Sequence, residues 1–123
     1  MAVTGKVSLG KVDYVDFEHD GLADGHIAIL RIDSEKYNPL FLTYFLRSIL
    51  GTYQIERDYT GATNQIELYA AETSNFKIPN ISLAEQEKIV TEIKNKLDAQ
   101  KAIEVKIEEK QKEIGAIIEA AIR

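Results

Sequence analysis

The stretch that decides the reading runs from Ser82 to Ile122, SLAEQEKIVTEIKNKLDAQKAIEVKIEEKQKEIGAIIEAAI. It opens on Ser82-Leu83-Ala84-Glu85, a capping box in which the Ser82 hydroxyl and the Glu85 carboxylate can satisfy two unpaired amides at a helix start. No proline follows, and only Gly115 weakens the helix, by about 1 kcal/mol against alanine. About 40 residues rising 1.5 Å each predict a rod of roughly 60 Å, longer than a small globule can cover. In a heptad frame the a positions are Leu83, Val90, Leu97, Glu104, Gln111 and Ile118, and the d positions are Gln86, Ile93, Gln100, Ile107, Ile114 and Ala121. The seam is apolar at both ends and polar near its middle. Ile89, Ile103, Ile117 and Ile122 widen it beyond a strict two-stranded coil, so the pattern predicts a broad face packed on a partner. Leu83, Val90, Ile93, Leu97, Ile107, Ile114 and Ile118 are the expected pairing residues. Glu92 with Lys96, and Glu108 with Lys112, lie four apart and read as solvated support.

Upstream, residues 1–81 read as a small β-rich domain, which makes the fold class α+β with a long C-terminal helix. Gly5 to Phe17 shows interrupted alternation and predicts strands with a break near Gly10. Residues 18–25 read as a turn-rich loop and His26 to Ile32 as a strand. Asn38-Pro39 opens a helix, with Asn38 as cap and proline at the first position. Phe41, Leu42, Phe45, Leu46, Ile49 and Leu50 supply its apolar face, and Gly51 is expected to stop it in a left-handed conformation. Thr52 to Tyr59 reads as a short helical continuation, Thr60 to Gln65 as a polar loop, and Phe76 to Pro79 as a last short strand.

At 123 residues the chain has room for one domain and an appended element, and 45% hydrophobic with 28% charged residues excludes a disordered chain. The absence of cysteine excludes disulfides and thiolate metal sites. Residues 1–10 lack a signal-peptide pattern and no apolar run approaches the roughly 18 residues of a membrane span, so a cytoplasmic chain without membrane contact is expected. The net charge of -5 argues against a large nonspecific polyanion surface. Residues 1–81 hold 7 basic and 11 acidic residues, net -4, and residues 82–123 hold 8 and 9, net -1.

Catalytic motifs are thin, and no enzyme activity is expected. Asn38-Pro39-Leu40-Phe41 resembles the Asn-Pro-Pro-Tyr/Phe signature of adenine methyltransferases, but its third residue is wrong and no glycine-rich loop is present to cradle a nucleoside cofactor. Asp16, Glu18, Asp20, Gly21 and Asp24 match five positions of a calcium loop, yet Ile27 stands where the bidentate glutamate belongs. His19 and His26 next to those carboxylates read as exposed turn residues, and no metal or cofactor is expected. In Thr60 to Gln65, Asn64 and Gln65 offer the paired donor and acceptor that read adenine in a major groove, and Arg47 and Arg57 lie upstream where they can face phosphates. A plain polar connector is the competing reading of that loop.

Three segments carry a family resemblance: YNPLFLTYFLRS at Tyr37 to Ser48, GATNQIEL at Gly61 to Leu68, and FKIPNISLAEQEKIVTEI at Phe76 to Ile93. Together they resemble the specificity subunit of type I restriction-modification enzymes, over roughly Gly21 to the C-terminus. The last segment resembles the exit from a target recognition domain into a spacer helix, with Ile78-Pro79, Leu83, Glu85-Gln86 and Ile89-Val90. The resemblance implies a non-catalytic subunit in which paired antiparallel helices hold two recognition domains apart and dock methyltransferase subunits. Residues 1–81 would then be part of a recognition domain and residues 82–123 the spacer helix. A chain with one of each looks like a half-subunit that needs a second copy to restore the two-fold arrangement. Double-stranded DNA is the implied ligand, with Arg47, Arg57, Thr60, Thr63, Asn64 and Gln65 as its candidate contacts. The acidic balance of residues 1–81 supports an alternative, a structural or decoy module that binds the modification enzyme without reading DNA.

Overall fold

The computed structural model describes residues 1–16, 21–63 and 65–123. The readings that fall on Phe17, Glu18, His19, Asp20 and Asn64 lie outside the described residues. Contacts divide the chain into two units, Met1–Glu87 and Lys88–Arg123. Along the chain come α1 (Pro39–Arg47), α2 (Ile49–Asp58), β1 (Thr60–Ala62), β2 (Gln65–Glu67), α3 (Ala70–Ser74) and α4 (Leu83–Ala121). The protein is therefore mixed helix with a small two-stranded sheet and a long C-terminal helix.

The Asn38 reading holds in detail. Its side-chain oxygen accepts from the amides of Leu40 and Phe41, at 2.9 and 3.3 Å, with Pro39 as the first helical residue. The helix does not end at Gly51, however. It breaks at Ser48, whose extended backbone separates α1 from α2, and Gly51 lies buried inside the first turn of α2. A β-carbon there would fall 2.4 Å from both the Cα and the carbonyl oxygen of Leu46. Glycine at this position serves close approach between the two helices, not a left-handed stop. From sequence the two roles look alike, since both place a glycine after an apolar helical run.

The β-rich expectation is also corrected. Residues 5–10 form a turn: Gly5 and Gly10 take φ of 81° and 79°, and the Leu9 amide donates to the Gly5 carbonyl at 2.9 Å. Residues 11–16 and 28–32 follow without regular strand structure. Beyond β1 and β2, strand-like pairing gathers around the first five residues. The Val3 amide donates to the His26 carbonyl at 3.0 Å, the Ala28 amide to Met1 at 2.8 Å, and the Leu68 amide to Val3 at 2.9 Å. Isolated bridges join Ala2 to Ile27 and Thr4 to Glu67. Met1, Val3, Val12, Leu46, Ile55 and Leu68 form the buried core, with Leu9, Leu30, Leu42, Phe45 and Phe76 against it.

Two buried glutamines complete this unit. The expected strand at Phe76 to Pro79 does not form, because the Gln54 side chain takes both backbone groups of Lys77: the Lys77 amide donates to Oε1 at 2.6 Å and Nε2 donates to the Lys77 carbonyl at 3.0 Å. Gln86, with no exposed surface, accepts from the Asn38 amide at 2.8 Å and donates to the carbonyls of Lys36 and Ile81 at 2.8 and 2.9 Å. A side-chain amide satisfies backbone groups that no strand reaches. Gln86 is thus committed within the globular unit and takes no part in the seam to which the heptad frame assigned it.

The Ser82 cap forms, with the Glu85 amide donating to Ser82 Oγ at 3.2 Å. From Leu83 the helix runs 39 residues without interruption. Among the described residues no helix is long and apolar enough to cross a membrane.

Candidate functional site

The segment expected to be a polar loop is a tight hairpin. β1 and β2 are antiparallel, with Thr60 opposite Glu67, Gly61 opposite Ile66 and Ala62 opposite Gln65. Side chains alternate across the ribbon, so Ile66 turns into the core and the other face presents Thr60, Ala62, Gln65 and Glu67. Thr63 stands at the turn with φ of 61°, a left-handed conformation that a β-branched residue rarely adopts. Thr60, Thr63 and Gln65 are all exposed. Alternation thus adds Ala62 to the expected contacts, on the same face as Thr60 and Gln65.

Both candidate arginines already hold carboxylates. Arg47 donates through Nε to the Val12 carbonyl at 2.9 Å and places a terminal nitrogen 3.2 Å from Asp13. Arg57, in the last turn of α2, meets its neighbour Asp58 in a two-pronged contact of 2.6 and 2.5 Å. That bond holds the Asp58 carboxyl below its usual range and raises the already high value of Arg57. The fold brings Arg57 to the foot of the hairpin, whereas Arg47 is tied to the 12–13 segment. The partners Asp13 and Asp58 carry no spacing signal that would have marked them in the sequence.

On α4 the expected pairing residues divide. Val90 is buried and Leu83 and Ile93 are half-buried. From Leu97 onward the stripe is open: Leu97, Ile103, Ile107, Ile114, Ile117, Ile118 and Ile122 are 39 to 79% exposed. Single exposed aliphatics are ordinary, but a row of them at helical spacing along one helix is not.

Concavities of the globular unit include two lined by described residues. A groove of about 980 Å³ runs past Val15, Ile29, Leu30 and Leu42, with the Arg47–Asp13 pair at its lining, and a smaller one of about 370 Å³ lies between Lys6, Thr52 and Glu56. Neither gathers the nucleophile, base and oriented donor of a hydrolytic centre. Among the described residues no three His, Cys, Asp or Glu side chains converge on a metal position. Asp24 instead accepts from the His26 amide at 2.9 Å, and the His26 ring nitrogen Nδ1 lies 2.8 Å from the Thr4 hydroxyl. Compared with known proteins, the chain matches no family model, no curated sequence and no solved structure.

Proposed function

We propose that the chain is a helix-assembled, non-catalytic module of a DNA-modifying complex: a half-size specificity subunit of the type I restriction-modification kind, which pairs with a second copy through α4 and positions methyltransferase subunits on a split DNA target. The observation that carries the reading is the open apolar row from Leu97 to Ile122 on an unbroken helix. Burying such a row yields about 25 cal/mol per Å² of apolar surface, and a helix of this length offers enough of it to hold two chains together. A parallel, in-register pair would stack Glu104 on Glu104 in the seam. An antiparallel pair avoids this: the register that sets Leu97 opposite Ile114 sets Gln100 opposite Gln111 and Glu104 opposite Ile107. The hairpin then supplies the DNA contacts, since a two-stranded ribbon fits the major groove and Gln65 offers adenine a paired donor and acceptor.

A second reading, a scaffold or decoy that joins the modification enzyme without reading DNA, draws support from the net charge of -5 and from the aspartates already seated on Arg47 and Arg57.

Light scattering at tens of micromolar tests the assembly. A dimer is expected, and a mixture of Leu97→Cys and Ile114→Cys chains should oxidise to the mixed disulfide in preference to either homodimer. A monomer, alone and with the methyltransferase subunit, would remove the reading. Fluorescence anisotropy with a pool of random duplexes, with and without that subunit, separates the two versions; no binding in either mixture leaves only the scaffold.

A further inference from the structure

Asp58 is placed against electrostatic preference. It is the last residue of α2, where the unpaired carbonyls give the helix end a partial negative charge that disfavours an anion and favours a cation such as Arg57. A neutral asparagine would suit the position better. The carboxylate nevertheless engages Arg57 with two hydrogen bonds of 2.6 and 2.5 Å, and does so from a side chain only 18% exposed. Arg57 itself stays 46% exposed, so its outer edge faces solvent three residues before the hairpin begins at Thr60. The other ion pair on a candidate contact, Arg47 with Asp13, is looser: one contact at 3.2 Å to an aspartate that is 77% exposed.

Resting on the DNA-reading version of the proposed function, we infer that Asp58 is an affinity-setting residue that guards Arg57 against binding duplexes through phosphate alone. A duplex reaching Arg57 must displace or approach a fixed negative charge, which penalises every sequence equally. Only a duplex that also gains the hydrogen bonds of Thr60 and Gln65 and the methyl contact of Ala62 compensates for that repulsion. A repulsion common to all duplexes leaves the ratio of their affinities unchanged but lowers every affinity, so a duplex that meets the chain through phosphates alone is no longer held at working concentration.

The test uses the full chain and a pool of random DNA duplexes across a salt series. Asp58→Asn, close to isosteric, should raise affinity for the pool roughly three- to tenfold at low salt and steepen the dependence of log K on log salt by about 0.9, the signature of one added phosphate contact. Asp58→Ser should act the same way, which separates the loss of charge from any local packing change. Adding Arg57→Gln to Asp58→Asn should return both quantities to wild-type values. If wild type binds the pool but neither neutral substitution alters affinity or slope, the guard is overturned while the DNA reading stands. If neither wild type nor Asp58→Asn binds the pool with the methyltransferase subunit present, the DNA reading itself falls and takes the guard with it.

Discussion

The two units of this chain treat polarity in opposite ways. In Met1–Glu87 two buried polar side chains, Gln54 and Gln86, spend their amides on backbone groups, while Glu72 keeps one buried carboxylate oxygen without a partner among the described residues. In Lys88–Arg123 apolar side chains face water, and Ile103, Ile107, Ile114 and Ile117 are each more than half exposed. Satisfying buried polar groups closes a structure on itself, whereas leaving aliphatic surface open makes association favourable. The contrast teaches that Met1–Glu87 carries a buried core of its own, whereas Lys88–Arg123 leaves its apolar row open, the surface that the proposed assembly would cover.

The largest expected effect breaks the contrast where it is sharpest. Ile107→Asp puts a charge on the row that pairing would bury. It should weaken association by at least about 3 kcal/mol, more than a hundredfold in dissociation constant, because an unpaired charge must be desolvated. The side chain is 51% exposed in the single chain, so the helix content of the monomer should stay nearly unchanged. Sedimentation with circular dichroism reads both. Equal association by variant and wild type would mean that this face is not the interface.

Gln86→Leu attacks the other side of the comparison. The leucine is apolar and fills the buried volume, but it strands the Asn38 amide and the carbonyls of Lys36 and Ile81. Unfolding in urea should show a loss of about 3 kcal/mol, as expected when buried backbone groups lose their partners. A neutral outcome would show that these groups find other partners and that the glutamine is dispensable.

A pair of glycines sharpens the comparison further. Gly51→Ala should destabilise the globular unit by about 2 kcal/mol, since the new carbon would overlap the Leu46 backbone, which cannot move aside as a flexible side chain would. Gly115→Ala meets nothing within 4 Å and should stabilise α4 by about 1 kcal/mol through helix propensity alone. Thermal melts of both variants check the opposite signs; the same sign for both would contradict the geometry at Gly51.

These positions also show what the sequence discloses. α4 was legible from Ser82 to its end because capping, periodicity and the lack of breakers are all local signals. Asn38-Pro39 was legible for the same reason. The β-rich reading failed over residues 5–16 because alternation of apolar residues says nothing about glycine conformation, and Gly5 and Gly10 turn the chain back. Gln54 and Gln86 escaped notice because their partners lie at 23 and at up to 50 residues' separation, beyond any local pattern. At the candidate site the polar composition of residues 60–65 was visible, but the hairpin register that separates Gln65 from the core-facing Ile66 was not. The aspartates on both arginines were equally hidden, since adjacency of Arg57 and Asp58 in sequence does not reveal whether the two side chains meet.

The smallest effect concerns that last contact. Asp58 loses its proton more readily in the folded chain than the ordinary aspartate value of 3.8, chiefly through its hydrogen bonds to Arg57. For a carboxyl with a lowered folded value, the stabilising contribution is fully present above the unfolded value and disappears as pH falls through the folded one. Carboxyl chemical shifts followed by NMR should therefore place the Asp58 midpoint below 3.8, and Arg57→Gln should move it back up, with little change in global stability because the pair lies at the surface. An unshifted midpoint in wild type would mean that the two side chains do not hold each other in solution, leaving the Arg57 guanidinium without the fixed negative charge on which the inferred guard depends.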